Sequence, residues 1–231
     1  MKYISTNILS VICGLMLITA LFITSIFYEC FNTDLYNDLY TKLNRAEEIG
    51  MSHFDLMVVN GNLLDYIQGK RDNLDMTADI NGQTREVFND KEKEHMVDVQ
   101  KLYLDAEKIR NVLALTALAL VVIICFLRRK IALRSIAFGY TTASYIFLAV
   151  VALLAAYALL NFDQFWIQFH QLLFKNELWL LDPNTDILIQ MVPGEFFYAL
   201  IQAIFITFAK WFAASFFAAW MMKKFGKIAM L

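Results

Sequence analysis

The chain alternates long apolar runs with short charged connections. Four stretches are almost free of charge: Asn7 to Tyr28, Val112 to Leu127, Ile136 to Leu160 and Phe196 to Met222. Crossing the hydrocarbon core of a bilayer as a helix takes about 20 apolar residues. Each run therefore predicts a membrane-spanning helix. The second is short for that purpose, but Leu102 to Ile109 can extend it as continuous helix. The first resembles a signal peptide in position, yet no small-x-small cleavage site closes it, so it is read as a span.

The predicted fold class is an all-α membrane protein with four transmembrane helices and an α-helical extracytoplasmic cap. Its parts are transmembrane helix 1 over 1–28, the cap over 29–109, transmembrane helix 2 over 110–127 and a cytoplasmic loop over 128–135. Transmembrane helix 3 follows over 136–160, then an extracytoplasmic aromatic-rich segment over 161–195, then transmembrane helix 4 with a cytoplasmic tail over 196–231.

Within the cap, Leu35–Tyr40, Ile49–Tyr66 and Val87–Ile109 predict short amphipathic helices, with Asn60-Gly61, Gly69-Lys70 and Asn81-Gly82 as breakers. Alternation is weak and β-branched residues are scattered, so little strand is expected there. In the third span, Gly139, Ser144, Ala149, Ala152, Ala155 and Ala156 suit close helix packing. Asp182-Pro183-Asn184 predicts a turn, and Pro193 a start for the fourth span.

Composition agrees with a membrane class: 59% of the 231 residues are hydrophobic. The net charge of −2 matters less than where the charges lie. Lys2, Arg128, Arg129, Lys130, Arg134, Lys223, Lys224 and Lys227 occupy three short segments without Asp or Glu. The positive-inside rule makes those segments cytoplasmic, so both termini are expected inside and the cap outside the cell membrane. Of the three cysteines, Cys13 and Cys125 fall in apolar runs and only Cys30 is near the outer face, so no structural disulfide is expected. No metal-ligand spacing appears, and no metal is expected. Nothing in the charge pattern points to nucleic acid.

Candidate chemistry centres on Glu92 to Tyr103, the last polar segment before the second span. As a helix it places His95, Val99, Leu102, Ala106 and Ile109 on one stripe, with Asp98 a turn from His95 and able to orient its ring. The outer aromatic segment crowds Phe162, Phe165, Trp166, Phe169, Phe174 and Trp179 around His170. Two imidazoles on one side of a membrane suit general acid and base work near neutral pH. Two interfacial structural histidines would look the same in sequence, just as the aromatics read either as a membrane-anchoring girdle or as a pocket for acyl chains or a lipid head. Lys210 lies mid-span, where a lysine snorkels or faces the bundle interior. His53 and Cys30 have no activating neighbour.

The segment Glu94-His95-Met96-Val97-Asp98-Val99-Gln100-Lys101-Leu102-Tyr103 resembles the "HM-x-DV" hallmark of the lipoprotein intramolecular transacylases, bacterial membrane proteins abbreviated Lit. A second block is similar to the same family: Phe165 to His170, Phe174, Trp179, Asp182-Pro183, Asp186, Ile189, Pro193 and Phe196-Phe197. The order of spans, cap and aromatic segment agrees, with a looser match over Asn32 to Arg85. The family usually has Lys where this chain has Gln100.

The resemblance implies an intramolecular O-to-N acyltransferase. The sn-2 acyl chain of a diacylglyceryl-Cys lipoprotein passes to the amine of its own N-terminal Cys, leaving a lyso-form lipoprotein. The implied partners are diacylglyceryl lipoproteins and membrane lipid, with no cofactor. Carried over, His95 and His170 are the catalytic pair. His95 is the expected base at the amine and His170 serves the oxyanion or leaving oxygen, with the roles interchangeable. Asp98 is a candidate orienter, and Phe165, Trp166, Phe169, Phe174 and Trp179 are candidate pocket walls. The competing expectation is a non-enzymatic membrane-anchored sensor or interaction protein; the very short basic segments offer it no output domain.

Overall fold

A computed structural model describes residues 2–228. The side chains of Lys2, Lys130 and Lys227, counted above in the basic clusters, lie outside the described residues, as do residues 229–231 of the predicted tail. The chain is helical almost throughout. In order it forms α1 (Lys2–Cys30), α2 (Thr33–Lys42), α3 (Arg45–Ile49), α4 (His53–Ile67), β1 (Thr77–Ile80) and β2 (Gln83–Glu86). There follow α5 (Asp90–Arg128), a 3-10 turn (Arg129–Ile131), α6 (Ala132–Leu160), α7 (Phe162–Leu173), α8 (Ile187–Met191) and α9 (Gly194–Ile228).

Among the described residues, four helices are long and apolar enough to cross a membrane: Thr6–Cys30 of α1, Asp90–Arg128, Ala132–Leu160 and Gly194–Lys224 of α9. At 1.5 Å per residue, the 39 residues of α5 run for about 58 Å, far beyond the roughly 30 Å of hydrocarbon. Its apolar part begins at Val112, so the charged first half, with His95, lies outside the membrane-spanning segment.

The chain divides into two compact units. One comprises Met1–Ile26, Glu107–Phe165 and Phe205–Leu231. Its core joins Ile18, Tyr140, Ala143, Phe208 and Ala219, flanked by Phe22, Phe147, Phe212 and Phe216. Phe22 meets Phe147 at 5.8 Å and Phe208 at 5.2 Å between ring centroids, both edge to face. Gly139 lets α6 approach α1: a Cβ there would lie 2.2 Å from the backbone of Ser10. Close packing on α6 is confined to its first half. Gly139 and Ser144 are buried, but Ala149, Ala152 and Ala156 are exposed. Lys210 is exposed on α9, so of its two expected placements the bundle interior is excluded.

The other unit comprises Phe27–Ala106 and Trp166–Ile204. Asn32 caps α2 through Leu35 N, and Ser52 caps α4 through Asp55 N. Asn60-Gly61 does not break α4. Asn60 turns fully inward and accepts the Tyr40 hydroxyl at 3.1 Å, and Tyr40 packs on Phe196. Ile109, placed above on the His95 stripe, is exposed, so that stripe closes before it.

Among the described residues, the little strand that the sequence leaves room for is one hairpin. Asn81-Gly82 is the turn of a small antiparallel hairpin pairing Ile80 with Gln83 and Thr77 with Glu86. Both turn residues have positive φ, 57° and 78°, the geometry that a two-residue hairpin turn needs and that Asn-Gly tolerates best. Ala78 and Ile80 bury its inner face. Asn81 N donates to Gly50 O at 2.8 Å, and a Cβ on Gly50 would collide with the Asn81 side chain. Lys93 ties the hairpin to α5 through Asp75 at 2.9 Å and Glu86 at 3.2 Å.

Candidate active site

The site is built where the first turns of α5 meet α7 and the strap between α7 and α8. Asn89 caps α5: its Oδ1 accepts Glu92 N at 3.0 Å, while Glu92 Oε2 accepts Asn89 N at 2.8 Å. This is a reciprocal capping box, which fixes the first turn of the helix that carries His95. The other oxygen of Glu92 reaches across the fold and accepts Leu188 N at 2.6 Å. Glu92 is only 1% exposed. Burial pushes its carboxyl above the ordinary range, against the pull of the backbone N–H donors.

Asp186 completes this latch. Its Oδ1 accepts the Asn89 amide at 2.9 Å and its Oδ2 accepts Asp182 N at 2.8 Å. Burial alone would raise its carboxyl, but the Asp182 N–H, the Asn89 amide and the Thr185 hydroxyl outweigh it and hold the group below the usual range. Lys91 Nζ donates to Leu180 O, and Asn176 Nδ2 donates to Asp98 Oδ2 at 2.7 Å. The strap from residue 174 to 188 is thus fastened to α5 at several points, and it carries Phe174 and Trp179.

The predicted histidines come together here. Both are buried, at 8% exposure each. Phe174 touches both, with its ring centroid 5.3 Å from that of His95 and 5.9 Å from that of His170. Trp179 stacks on His170 at 4.7 Å, and Trp166 (4.3 Å) and Phe169 (5.4 Å) close around it. Trp166 is held edge to face by Phe197. Phe165 instead packs on Tyr157 and Phe162 and belongs to the other unit. Asp98 gives its Oδ2 to Asn176; toward His95 it acts through space, favouring the charged ring. His53, exposed, bonds to Asn37.

Both imidazoles are held neutral. Burial lowers His95 to about 4, helped by the neighbouring His170. Burial also lowers His170, opposed by its bond to the Trp166 carbonyl. That bond spans 2.8 Å from Nδ1. A carbonyl only accepts, so Nδ1 of His170 carries the hydrogen and Nε2 of the neutral ring keeps its lone pair. Nδ1 of His95 is buried with no hydrogen-bond partner among the described residues.

This predicts a pH signature. His95 binds a proton less readily folded than unfolded, so its contribution to stability is intact above pH 6.5 and is lost as pH falls from 6.5 to about 4. The thermal midpoint of the wild type should drop through that window relative to His95→Gln, then run parallel below it. Parallel curves throughout would show that His95 titrates normally.

Nothing in their spacing marks Glu92, Asn89 or Asp186 for chemistry. The pattern Asn89-x-x-Glu92 ahead of an apolar run is a readable capping signal, but its link to Leu188, 96 positions away, is not.

The chain is similar to solved structures of the membrane integral lipoprotein intramolecular transacylase Lit from Bacillus cereus. One is 17% identical, with a TM-score of 0.69 over 98% of this chain and 96% of that one. Two histidine variants of the same protein are each 15% identical, with TM-scores of 0.69, over 99% of this chain and 93% or 95% of theirs. A search of curated proteins finds no match. A model of the family described as lipoprotein intramolecular transacylase Lit matches residues 11–197, most of the sequence, and so the chain belongs to that family.

Proposed function

We propose that the enzyme moves the sn-2 acyl chain of a diacylglyceryl-Cys lipoprotein onto the α-amine of the same cysteine, with His95 and His170 as its catalytic residues. The observation that carries this is the pair of neutral, buried imidazoles packed on one phenylalanine ring. His170 is the better base. Its Nε2 lone pair is free, and the Trp166 carbonyl at Nδ1–H stabilises the imidazolium that forms on proton uptake. His95, held near 4, is a poor proton acceptor at neutral pH but a good neutral hydrogen-bond donor to an oxyanion. Of the two interchangeable assignments, this reading takes His170 as the base and His95 as the oxyanion donor.

In this scheme the neutral amine attacks the ester carbonyl and a C–N bond forms. His170 takes the surplus proton from nitrogen. The carbonyl oxygen, negative in the tetrahedral intermediate, accepts a hydrogen bond from His95. The C–O bond then breaks, and His170 returns the proton to the departing sn-2 oxygen. The products are an amide and a free hydroxyl. Amine and ester are already tethered, so confinement supplies much of the rate. Trp166, Phe169, Phe174 and Trp179 are the walls, and the exposed Phe169 and Leu172 of α7 suit contact with lipid.

Mass spectrometry of lipoprotein N-termini in cells with and without the enzyme tests this. Lyso-form N-acyl termini should appear only with it; diacylglyceryl termini with a free amine in both cases would reject the reaction.

The orientation follows the basic clusters: both termini and residues 128–135 inside, 29–109 and 161–195 outside. In a cysteine-free background, a membrane-impermeant thiol reagent should label Thr84→Cys and Asn184→Cys in intact cells and spare Arg134→Cys. Ser135, the next residue of α6, is buried and would report nothing. Labelling of Arg134→Cys alone would invert the topology.

A further inference from the structure

A groove of about 290 Å³ opens beside Phe174, the ring that both histidines share. One wall is a face of α5, formed by Asp98, Lys101, Leu102 and Asp105; the other is the start of the strap, Leu173 to Asn176. Four charged side chains make it a poor place for an acyl chain, whose burial gains nothing beside ions. Its carboxylates are engaged, Asp98 by Asn176 and Asp105 by a further contact. Lys101 and Lys175 are exposed and make no ion pair among the described residues. The groove thus offers two carboxylates that already have partners and two ammonium groups that make no ion pair among the described residues. From Asp98 to Asp105 the α5 wall runs seven residues, about 10 Å, the length of roughly three residues of extended peptide.

The substrate has a part that needs such a place. Its polypeptide leaves the lipidated cysteine at the carbonyl carbon, two bonds from the reacting amine. We infer that this groove holds the first three or so residues after that cysteine, and that Lys101 and Lys175 favour acidic side chains there. The inference rests on the transacylase reading above and adds a peptide subsite to it.

The test uses the full-length enzyme in detergent with synthetic diacylglyceryl-Cys lipopeptides. Residues two to four are Asp, Gln or Lys, and a diacylglyceryl-cysteine amide without peptide serves as the reference. Exposed charge pairs are worth little each, so KM for the Asp peptide should be about three- to tenfold below that for the Lys peptide, with kcat unchanged. Lys101→Glu with Lys175→Glu should reverse the order, and raising the salt concentration should flatten it. Both enzymes should turn over the peptide-free amide equally, which separates a peptide subsite from damage to the catalytic centre. KM values independent of peptide charge, or an equal loss on the peptide-free amide, would overturn the subsite while leaving the reaction standing. A wild type inactive on every substrate would overturn the reaction and the subsite together.

Discussion

His95→Ala and His170→Ala should each leave a folded membrane protein that has lost most acyl transfer, by about 100- to 10,000-fold. The two rings meet on Phe174 and serve one reaction centre, so the double variant should be little worse than either single one. The single variants should also differ. His170→Ala removes the proton carrier, and a small added base such as imidazole should restore part of its activity. His95→Gln keeps an N–H donor and should retain more activity than His95→Ala. His53→Ala, at an exposed ring bonded to Asn37, should be close to wild type. The check is the rate of N-acyl lipopeptide formation, with folding verified by circular dichroism. Full activity in both alanine variants would return the histidines to a structural role.

The second large effect is expected at Glu92, a residue that touches no substrate in this account. Glu92→Ala leaves Leu188 N–H and Asn89 N–H without their acceptor in a site shielded from water. Each orphaned group costs about 1–3 kcal/mol, so destabilisation on the order of 2–6 kcal/mol should follow. Glu92→Gln keeps one acceptor but points an amide N–H at a backbone donor, and should fall between alanine and the wild type. Loss of the latch frees the strap that carries Phe174 and Trp179. Activity should therefore fall with stability, through kcat rather than through affinity for the lipid. Thermal unfolding in detergent beside steady-state kinetics checks this. An unchanged midpoint in Glu92→Ala would show that the latch carries no weight.

The comparison of these two sites shows what the sequence could convey. Periodicity and run length are local properties, so the four spans and the α5 helix were readable. His95 and His170 were readable as candidates because histidines are scarce in this chain and both fall next to apolar runs. That they share Phe174 was not readable, because the contact depends on how the strap folds back. The same holds for the Glu92 to Leu188 bond. Asn60-Gly61 looks like a breaker in sequence, but Tyr40 gives Asn60 a buried partner and tertiary packing overrides the local signal. The hairpin was missed for the opposite reason. Its second strand, Gln83–Glu86, is exposed on every residue, so it has no alternation to detect, and only Asn81-Gly82 marked it. Asp98 looked like the orienter of His95 by helical spacing; its carboxylate is taken by Asn176, which no spacing argument reaches.

The most direct test of the central claim is a label-mixing experiment. Substrate with two heavy acyl chains and substrate with two light ones are combined in equal amounts, and the lyso-form product is weighed. Transfer within one molecule, with a histidine pair moving only a proton, predicts that the sn-1 chain and the N-acyl chain of each product are both heavy or both light. Products carrying one heavy and one light chain would mean an acyl-enzyme or a separate lipid donor, and would contradict the mechanism drawn from His95 and His170.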